Sequence, residues 1–408
     1  MTKMLWALLL ACFALSAHAE IDITTTAKNR NPSIYLASND HDSTFNTSIK
    51  RKLIYSDWFS LTDKRDQAVY VLSIQGSSPA KIRLQDKLGN TVSNCGFDIN
   101  LSKLNSKWRA HLIIDELIKR FFKSRRFPDP RICASQIAFS AWSGGKKEIY
   151  LCDVDGSNLR KKTNFKNITV SPKWSPDNRY LLYTVYGKAS TSIFQMDLNT
   201  NKHRILTHYR GMNTGASFRP KTNSIIMTLS KDRMVDLYWM DLNNIGKIGR
   251  LTKNSNIESS PIFSPQGNEI CFVSSTVSSA GKVNSPKLQI MNASSLKARP
   301  LFSDSSERVS PDWSTSTNKL VYSKKVSGQY VLAVCDPKNP NGTETVITRT
   351  AGHWEDPSWA PDGRHLVCTR DLAGQKSLYI VDTLYKTVRK LNLNLSKCSS
   401  PSWSNIYK

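Results

Sequence analysis

Short apolar runs recur along the chain from about residue 137 to its end. They are bounded by turn formers such as proline, aspartate and glycine, and runs of this kind predict β-strands. Each repeat holds three such runs and one further strand-like phrase, so the pattern predicts sheets of four strands. Two repeats illustrate it, with runs at 180–184, 192–197 and 204–207 and again at 365–369, 378–382 and 389–391.

A phrase built on proline, an aromatic residue and serine opens each repeat. It occurs six times, and its aromatic residue recurs at steps of 44, 45, 50, 46 and 44 residues. A period of about 40–50 residues is typical of the blade of a β-propeller. Blades must stack to bury their faces, and we expect one large aromatic per blade to fill the space between neighbours. The aromatic positions are Trp174, Phe218, Phe263, Trp313, Trp359 and Trp403.

The two ends of the repeated region indicate how the ring closes. The strand-like runs at 137–140 and 148–153 have no phrase before them, whereas the last phrase has no strands after it. The six phrases and six strand sets therefore predict a six-bladed, all-β propeller. Its closing blade is expected to combine residues 137–163 with residues 398–408, so that a ladder of hydrogen bonds holds the chain ends together.

Residues 20–130 lack the phrase and predict a separate, small α/β domain. The run 68–74 is rich in β-branched and apolar residues, which favours a strand. A helix is expected after a cap at Asn105 or Ser106. Its apolar residues at helical spacing are Ala110, Ile113, Ile114, Leu117 and Phe121.

A first helix is predicted over about 45–55, opened by Ser43 or Thr44 as its cap. The segment 127–130 contains two prolines, which interrupt both helical and strand patterns. We therefore expect the front domain to end at residue 130 and the propeller to span 131–408.

The first nineteen residues resemble an export signal. Lys3 precedes an apolar run that ends at Leu15, and the small residues Ala17 and Ala19 follow, as at a cleavage site. The mature chain is then expected to begin at Glu20. An alternative is lipidation at Cys12. No later stretch is apolar enough to predict a membrane span, so a soluble, exported protein is expected.

The chain is strongly basic, with a formal net charge of +25. Such a charge favours acidic partners. Nucleic acid is not expected as a partner, because no recognition motif is present and the export signal separates the protein from it. An acidic envelope partner and a generally basic proteome both remain as explanations.

The cysteine count argues against a complete disulfide framework. Removal of Cys12 with the signal leaves seven cysteines, an odd number. The pair Cys133 and Cys398 is the one bridge to test. Four others lie in predicted strands, where a free cysteine behaves as a small buried apolar residue: Cys152, Cys271, Cys335 and Cys368.

The chain shows no motif for catalysis. The run Asp153 to Asn158 resembles the start of a calcium loop, but its twelfth position is Asn164 rather than a carboxylate, which favours a hairpin turn. The seven histidines offer no pair at metal-binding spacing, and no nucleophile elbow occurs. We predict no catalytic residues, no metal ligands and no cofactor.

The loops that precede each phrase are expected to meet at one mouth of the central channel. Within them His353 and Trp354 stand out, because tryptophan on a loop tip is uncommon without a partner or a packing reason. Solvated loops are the alternative interpretation. The segments are 212–215, 257–260, 307–310, 353–356 and 397–400.

Several of these features together resemble the TolB family of the Tol-Pal envelope system. The runs 148–158 and 171–177 are similar to the family's propeller repeats. His111 and Asp115 stand as in the Ala-His-x-x-x-Asp helix of the family's front domain, and Glu20 to Ile23 is similar to its mature amino terminus.

This resemblance implies a periplasmic, monomeric scaffold that supports outer-membrane integrity and envelope constriction during cell division. In the family the propeller mouth binds the peptidoglycan-associated lipoprotein Pal, and the amino terminus binds the inner-membrane protein TolA. The residues implied for TolA are Glu20, Ile21, Asp22 and Ile23. Those expected at the Pal-binding mouth are Met212, Asn213, Gly215, Ser259, Ser260, Val309, Ser310, His353, Trp354, Glu355 and Asp356.

Two other functions stay open from the sequence. The first is a propeller enzyme or ligand sensor that uses the central channel, with a cation bound there. The second is a peptidoglycan binder, which the positive charge favours.

Overall fold

The computed structural model describes residues 31–38, 42–76, 79–232, 234–278 and 280–407. The expected signal segment and Glu20 to Ile23 lie outside these ranges. Among the described residues, no helix is both long enough and apolar enough to cross a bilayer.

The front domain packs two helices against a mixed sheet. The strand order is β2-β1-β3-β4-β5, in which β1 runs parallel to both neighbours and the other pairs are antiparallel. A short 3-10 helix (Arg65–Gln67) precedes β3. The elements are β1 (Ser33–Ser38), α1 (Ser43–Ser56), β2 (Ser60–Leu61), β3 (Tyr70–Gln75), β4 (Ala80–Gln85), β5 (Thr91–Ile99) and α2 (Ser106–Phe122).

Side-chain caps open both helices. Asn105 accepts a hydrogen bond from the Trp108 N–H, which confirms one of the two predicted caps of α2. The predicted cap of α1 is wrong, because Ser43 is already helical and the preceding Asp42 caps the helix by accepting from the Phe45 N–H. A carboxylate is favourable there because it faces the positive end of the helix dipole.

Six blades form the propeller within the described residues, which confirms the predicted fold class. In each blade the first strand lies innermost, next to the central channel. Blades 1 to 3 contain β6 (Gln136–Ser143), β7 (Lys146–Asp153), β8 (Arg160–Lys161), β9 (Ile168–Trp174), β10 (Tyr180–Tyr186), β11 (Thr191–Asp197), β12 (His203–Thr207), β13 (Asn213–Phe218), β14 (Ser224–Leu229), β15 (Asp236–Asp241) and β16 (Asn244–Arg250).

Blades 4 to 6 follow the same plan, and a helical turn, α3 (Pro340–Thr343), interrupts blade 5. Their strands are β17 (Ile257–Phe263), β18 (Glu269–Ser275), β19 (Lys287–Asn292), β20 (Ala298–Pro300), β21 (Arg308–Trp313), β22 (Leu320–Val326), β23 (Gln329–Cys335), β24 (Thr345–Val346), β25 (His353–Trp359), β26 (His365–Leu372), β27 (Gln375–Asp382) and β28 (Thr387–Lys390), and the chain then enters β29 (Ser396–Trp403).

Strand β29 pairs antiparallel with β6, so the last strand of the chain becomes the first strand of blade 1. Trp403 lies opposite Ile137, and its indole N–H donates to Ser135 Oγ at 2.8 Å. The indole of Trp174 in blade 2 donates to the Ser402 carbonyl at 3.0 Å. The six aromatic residues of the phrase are all buried, as their packing role predicts.

The proposed Cys133–Cys398 bridge is absent, since both thiols are free and buried. Cys133 precedes β6 where β29 ends, whereas Cys398 lies near the start of β29. Ser404 lies beside Gln136, close to Cys133 in the chain. Cys398 is six strand residues before Ser404, a distance of roughly 20 Å along the strand. A disulfide requires Cα atoms within about 7 Å.

The front domain contacts the propeller at the end where the first strands of the blades finish, which we call the far end. Trp58 Nε1 donates to Asp362 Oδ2 at 3.1 Å, in the turn after β25. Arg51 and Lys52 pair with Asp155 at 2.9 and 3.3 Å, in the turn after β7. The opposite end, where the first strands begin, is the mouth end.

Asp115 joins α2 to the entry of the propeller. Its buried carboxylate accepts the backbone N–H groups of Ile132, Cys133 and Ala134 at 2.7–2.9 Å. Burial raises the pKa of Asp115 although these hydrogen bonds oppose the rise. His111, one turn earlier, contacts the Cys133 carbonyl through Nδ1. Burial and the nearby Lys52 ammonium lower the pKa of His111 to about 4.

Candidate functional site

The mouth end of the channel is lined by one equivalent residue from each blade. Each lies at a bulge in the first strand, directly before the proline of the phrase or, at Gly215, before Ala216. All six have positive φ, between 49° and 61°. They enclose a cavity of about 110 Å³. We call them the mouth ring, which consists of Ser171, Gly215, Ser260, Ser310, Asp356 and Ser400.

The backbone of the mouth ring is held in a sparsely populated conformation. A positive φ is rare for residues other than glycine and for residues before proline. At Gly215 the lack of a Cβ removes this cost, and an added Cβ would meet Thr228 Oγ1 at 3.2 Å. A bulge repeated in every blade therefore gives the mouth a fixed shape.

Asp356 is the charged member of the mouth ring. Its two carboxylate oxygens accept hydrogen bonds from Ser310 Oγ and Ser400 Oγ, each at 3.2 Å. Ser310 belongs to blade 5 and Ser400 to blade 1, so Asp356 joins three adjacent blades around the channel.

Two lysines, on blades 1 and 6, lie near enough to interact electrostatically with this carboxylate. Lys147 Nζ donates to Ser399 Oγ at 2.6 Å, and burial together with repulsion from Lys376 lowers the pKa of Lys147. Lys376 pairs with Glu355 at 3.2 Å and with Asp371 at 3.5 Å. Burial opposes the charge of Lys376, but Glu355 and Asp371 raise its pKa overall.

An ion pair crosses the channel deeper than the mouth ring. Lys173 of blade 2 approaches Asp312 of blade 5, with 3.4 Å between Nζ and Oδ1. Asp312 Oδ2 also accepts the Trp359 N–H at 2.8 Å. Both charged residues occupy the middle position of the Pro-x-aromatic phrase, next to the buried aromatic residue. In a strand that position faces the opposite way, toward the channel.

Most of the sequence-predicted mouth residues do lie at the mouth end. Met212 is exposed, and the others named here are half-buried at the starts of the first strands. Gly215, Ser260, Ser310 and Asp356 belong to the mouth ring itself. The half-buried set outside the ring is Ser259, Val309, His353 and Glu355.

Trp354 is not on a loop tip, and that expectation is wrong. It lies within β25 and is fully buried, with its Nε1 donating to the Thr350 carbonyl at 3.0 Å. Its ring packs edge-on against Tyr379 and under the Arg370 guanidinium. Because β25 begins at His353, alternation along the strand turns Trp354 inward.

Asn213 is also buried rather than available to a partner. Its amide group donates to the Tyr209 carbonyl at 2.7 Å and accepts the Tyr209 N–H at 3.0 Å. Asn213 therefore shapes the loop before β13, and we exclude its side chain from the contact surface.

The sequence interpretation missed the charged residues Lys173 and Asp312 in the channel, and Lys147 and Lys376 on the neighbouring third strands of blades 1 and 6. For two of them a signal was present. The middle residue of the phrase is Lys173 in blade 2 and Asp312 in blade 5, and blades three apart face each other in a ring of six.

Among the described residues no group of three or more histidine, cysteine or acidic side chains could hold a metal ion. The channel carboxylates Asp312 and Asp356 each already have hydrogen-bond or ion-pair partners. Asp312 contacts an ammonium group and a backbone N–H, and Asp356 contacts two hydroxyl groups.

Comparisons with known proteins agree with this architecture. A family model described as the TolB beta propeller domain matches residues 131–407. A protein TolB homolog of Chlorobium chlorochromatii (strain CaD3) is 35% identical over 143 residues. That alignment spans 35% of this chain and 32% of the relative, so it covers about a third of either protein.

Two solved structures resemble the fold. A crystal structure of TolB from Acinetobacter baumannii matches with a TM-score of 0.79 and 20% identity, over 92% of this chain and 97% of that chain. The hydrazine synthase of Kuenenia stuttgartiensis matches with a TM-score of 0.56 and 16% identity, over 67% of this chain and 47% of that one. The second likeness indicates that the propeller fold alone does not define a function.

Proposed function

This chain belongs to the TolB β-propeller family, and we propose that it is a periplasmic scaffold of the Tol-Pal type rather than an enzyme. Its channel mouth binds a Pal-like, peptidoglycan-associated lipoprotein, and its amino terminus at Glu20 to Ile23 binds a TolA-like inner-membrane protein. The protein is exported by a cleaved signal, works as a soluble monomer without a cofactor, and supports outer-membrane integrity and envelope constriction during division.

The observation that carries the proposal is the mouth ring. Six bulged backbone segments, five of them followed by proline, present a surface whose shape is set before any partner arrives. Binding to such a surface loses little conformational entropy, which favours a protein interface. The polar ring residues and Asp356 supply hydrogen-bonding groups that can fix the orientation of a partner.

The arrangement of the two domains supports two partners at once. Among the described residues, the front domain contacts the propeller at the far end rather than at the mouth end. Asn31, the first described residue, accepts a hydrogen bond from Arg364 Nη2 at 3.0 Å, in the turn after β25. The described part of the chain therefore begins at the far end, away from the mouth. A lipoprotein at the mouth does not block that end.

The binding proposal is tested by calorimetric titration of the mature protein with the soluble domain of the cognate lipoprotein. Ser310→Trp places an indole in the mouth ring and is expected to weaken binding by at least about tenfold, a loss of about 1.4 kcal/mol. The control is Ser295→Trp, an exposed serine in the turn between β19 and β20. No binding by the wild-type protein at about 100 μM, or equal effects of both variants, would contradict the proposal.

A further inference from the structure

Three apolar side chains are exposed together at the mouth end of blade 2. Ile168, Tyr186 and Met212 are 42%, 46% and 42% exposed. Ile168 pairs with Tyr186 across β9 and β10, and Tyr186 pairs with Thr191. The Thr191 N–H donates to the Gly211 carbonyl at 3.2 Å, directly before Met212. The three apolar residues thus share one continuous edge of the blade.

Three cations lie among these apolar residues. Lys166, Lys188 and Arg210 are exposed, and within the described part of the chain none of them forms an ion pair. No acidic residue occurs in the connecting segments 164–167, 187–190 and 208–212 that carry them. We call the combined surface the blade 2 patch, and it consists of Lys166, Ile168, Tyr186, Lys188, Arg210 and Met212.

The mouth end is different on the opposite side of the ring. Glu307 pairs with Lys325 at 3.1 Å and Glu355 pairs with Lys376 at 3.2 Å, on blades 5 and 6. The acidic residues there are matched by lysines, whereas the cations of the blade 2 patch form no ion pair within the described residues. The buried carboxylate of Glu148 accepts the backbone N–H of Lys166 at 2.9 Å.

We infer that the blade 2 patch receives an acidic segment of the protein partner, in which carboxylates flank an exposed apolar side chain. This inference rests on the proposed function, because the segment belongs to the same lipoprotein that covers the mouth ring. The patch is continuous with that ring through β13, which leads from Met212 to Gly215. The apolar residues bind the apolar side chain, and the three cations pair with its flanking carboxylates.

The two kinds of residue have different kinetic roles. Exposed charges at the rim of an interface mainly accelerate association and make it dependent on salt. Buried apolar contacts mainly slow dissociation. Because the patch and its three apolar side chains lie on one side of the ring, away from the channel axis, the patch also selects one rotation of the partner about that axis. The patch thereby determines orientation, while the mouth ring provides the central contact.

The test is stopped-flow binding of the mature protein to the soluble domain of the cognate lipoprotein at several salt concentrations. The charge-reversed variant Lys188→Glu/Arg210→Glu is expected to associate about tenfold more slowly at low salt and to lose most of the salt dependence. The matched control Lys202→Glu/Lys221→Glu carries the same charge change on exposed far-end turns, and its association rate is expected to stay within about twofold of wild type. Tyr186→Ala/Met212→Ala is expected to dissociate about five- to tenfold faster.

Specific results would overturn the inference. If the charge-reversed variant associates like wild type while Ser310→Trp still weakens binding, the patch is not part of the interface, although the mouth still is. If the wild-type protein does not bind the lipoprotein domain at all, the proposed function fails and this inference fails with it. A third arm uses vesicles of phosphatidylglycerol and phosphatidylcholine. Vesicle binding that is lost on charge reversal, with unchanged lipoprotein binding, assigns the patch to a membrane surface instead.

Discussion

Lys173 and Asp312 form an ion pair across the central channel, with 3.4 Å between Nζ and Oδ1. They lie on blades 2 and 5, which face each other in the ring. The side chains are 30% and 17% exposed, so water screens the pair only in part. Asp312 also accepts the Trp359 N–H of blade 6. This contact therefore connects three blades inside the channel.

Removal of either charge is expected to destabilise the propeller. Lys173→Ala leaves Asp312 without its cation and should cost about 1 kcal/mol of unfolding free energy. Asp312→Ala also removes the acceptor of the Trp359 N–H and should cost about 2 kcal/mol. Urea unfolding of both single variants and the double variant measures their coupling, expected at about 1 kcal/mol. Additive effects would contradict the pair, and Lys221→Ala on an exposed turn is the control.

The wild-type protein is expected to be insensitive to calcium. The Lys173 ammonium already pairs with Asp312, and two serine hydroxyls donate hydrogen bonds to Asp356. A divalent cation would have to replace these partners, so its binding in the channel would gain little free energy. Melting in excess calcium and in chelator should give Tm values within about 1 °C. A cation bound at a hundred times its Kd would add about 2.7 kcal/mol of stability and raise the Tm by several degrees. Such a rise would show that the channel holds a metal.

The sequence alone was sufficient to predict the structural features that repeat along the chain. The spacing of Trp174 and its five equivalents led to the six blades, because burial of one aromatic per blade imposes a regular pattern on the sequence. The ion pair between Lys173 and Asp312 was not predicted, since its partners are 139 positions apart and become neighbours only when the ring closes. The local sequence also did not reveal that Trp354 is buried, because its burial depends on where β25 begins.

Replacement of Trp354 and of its neighbour His353 tests whether Trp354 is buried. Trp354→Ala removes a fully buried indole and should cost about 3–5 kcal/mol of unfolding free energy. His353→Ala, at the half-buried neighbouring position, should cost less than about 1 kcal/mol. Thermal melting of the two variants separates these outcomes. Similar, small losses would indicate that Trp354 lies at the surface after all.

The stability of the protein should fall as the pH decreases from about 6.5 toward 4. His111 is buried as a neutral side chain, and burial with Lys52 lowers its pKa to about 4. An unfolded histidine has a pKa of about 6.5, so acid protonates the unfolded chain first and favours unfolding. The carboxylates that face His111 are Asp153, 3.7 Å from Nε2, and Asp155.

The contribution of His111 is isolated by replacement. His111→Gln should flatten the fall of Tm between pH 6.5 and 4.5, whatever it does to the Tm at neutral pH. His208→Gln, on an exposed loop, is the control and should keep the wild-type slope. Asp155 should cause a separate loss of folding stability below about pH 4. Although burial opposes it, the pKa of Asp155 is lowered in the folded state, so acid protonates this carboxylate first in the unfolded chain. An unchanged slope in His111→Gln would refute the assignment.

Asp115 is expected to be the most sensitive single position at the junction of the two domains. Its carboxylate accepts three backbone N–H groups from residues 132–134, where the chain enters the propeller. In Asp115→Asn one oxygen becomes an NH₂ group, which cannot accept the Ala134 N–H and faces it as a second donor. The expected cost is about 3 kcal/mol or more, because a buried donor loses its partner and the charge-assisted bonds weaken.

The neighbouring Glu116 makes a matched control for Asp115→Asn. It lies on the same helix but faces outward, where it pairs with Arg120 at 2.7 Å. Glu116→Gln should change the unfolding free energy by less than about 1 kcal/mol. Hydrogen exchange of the 132–134 amides gives a second readout, since these N–H groups should lose protection in Asp115→Asn alone. Equal protection in both variants would mean that the junction is held by packing, and the carboxylate would then have no special role in joining the domains.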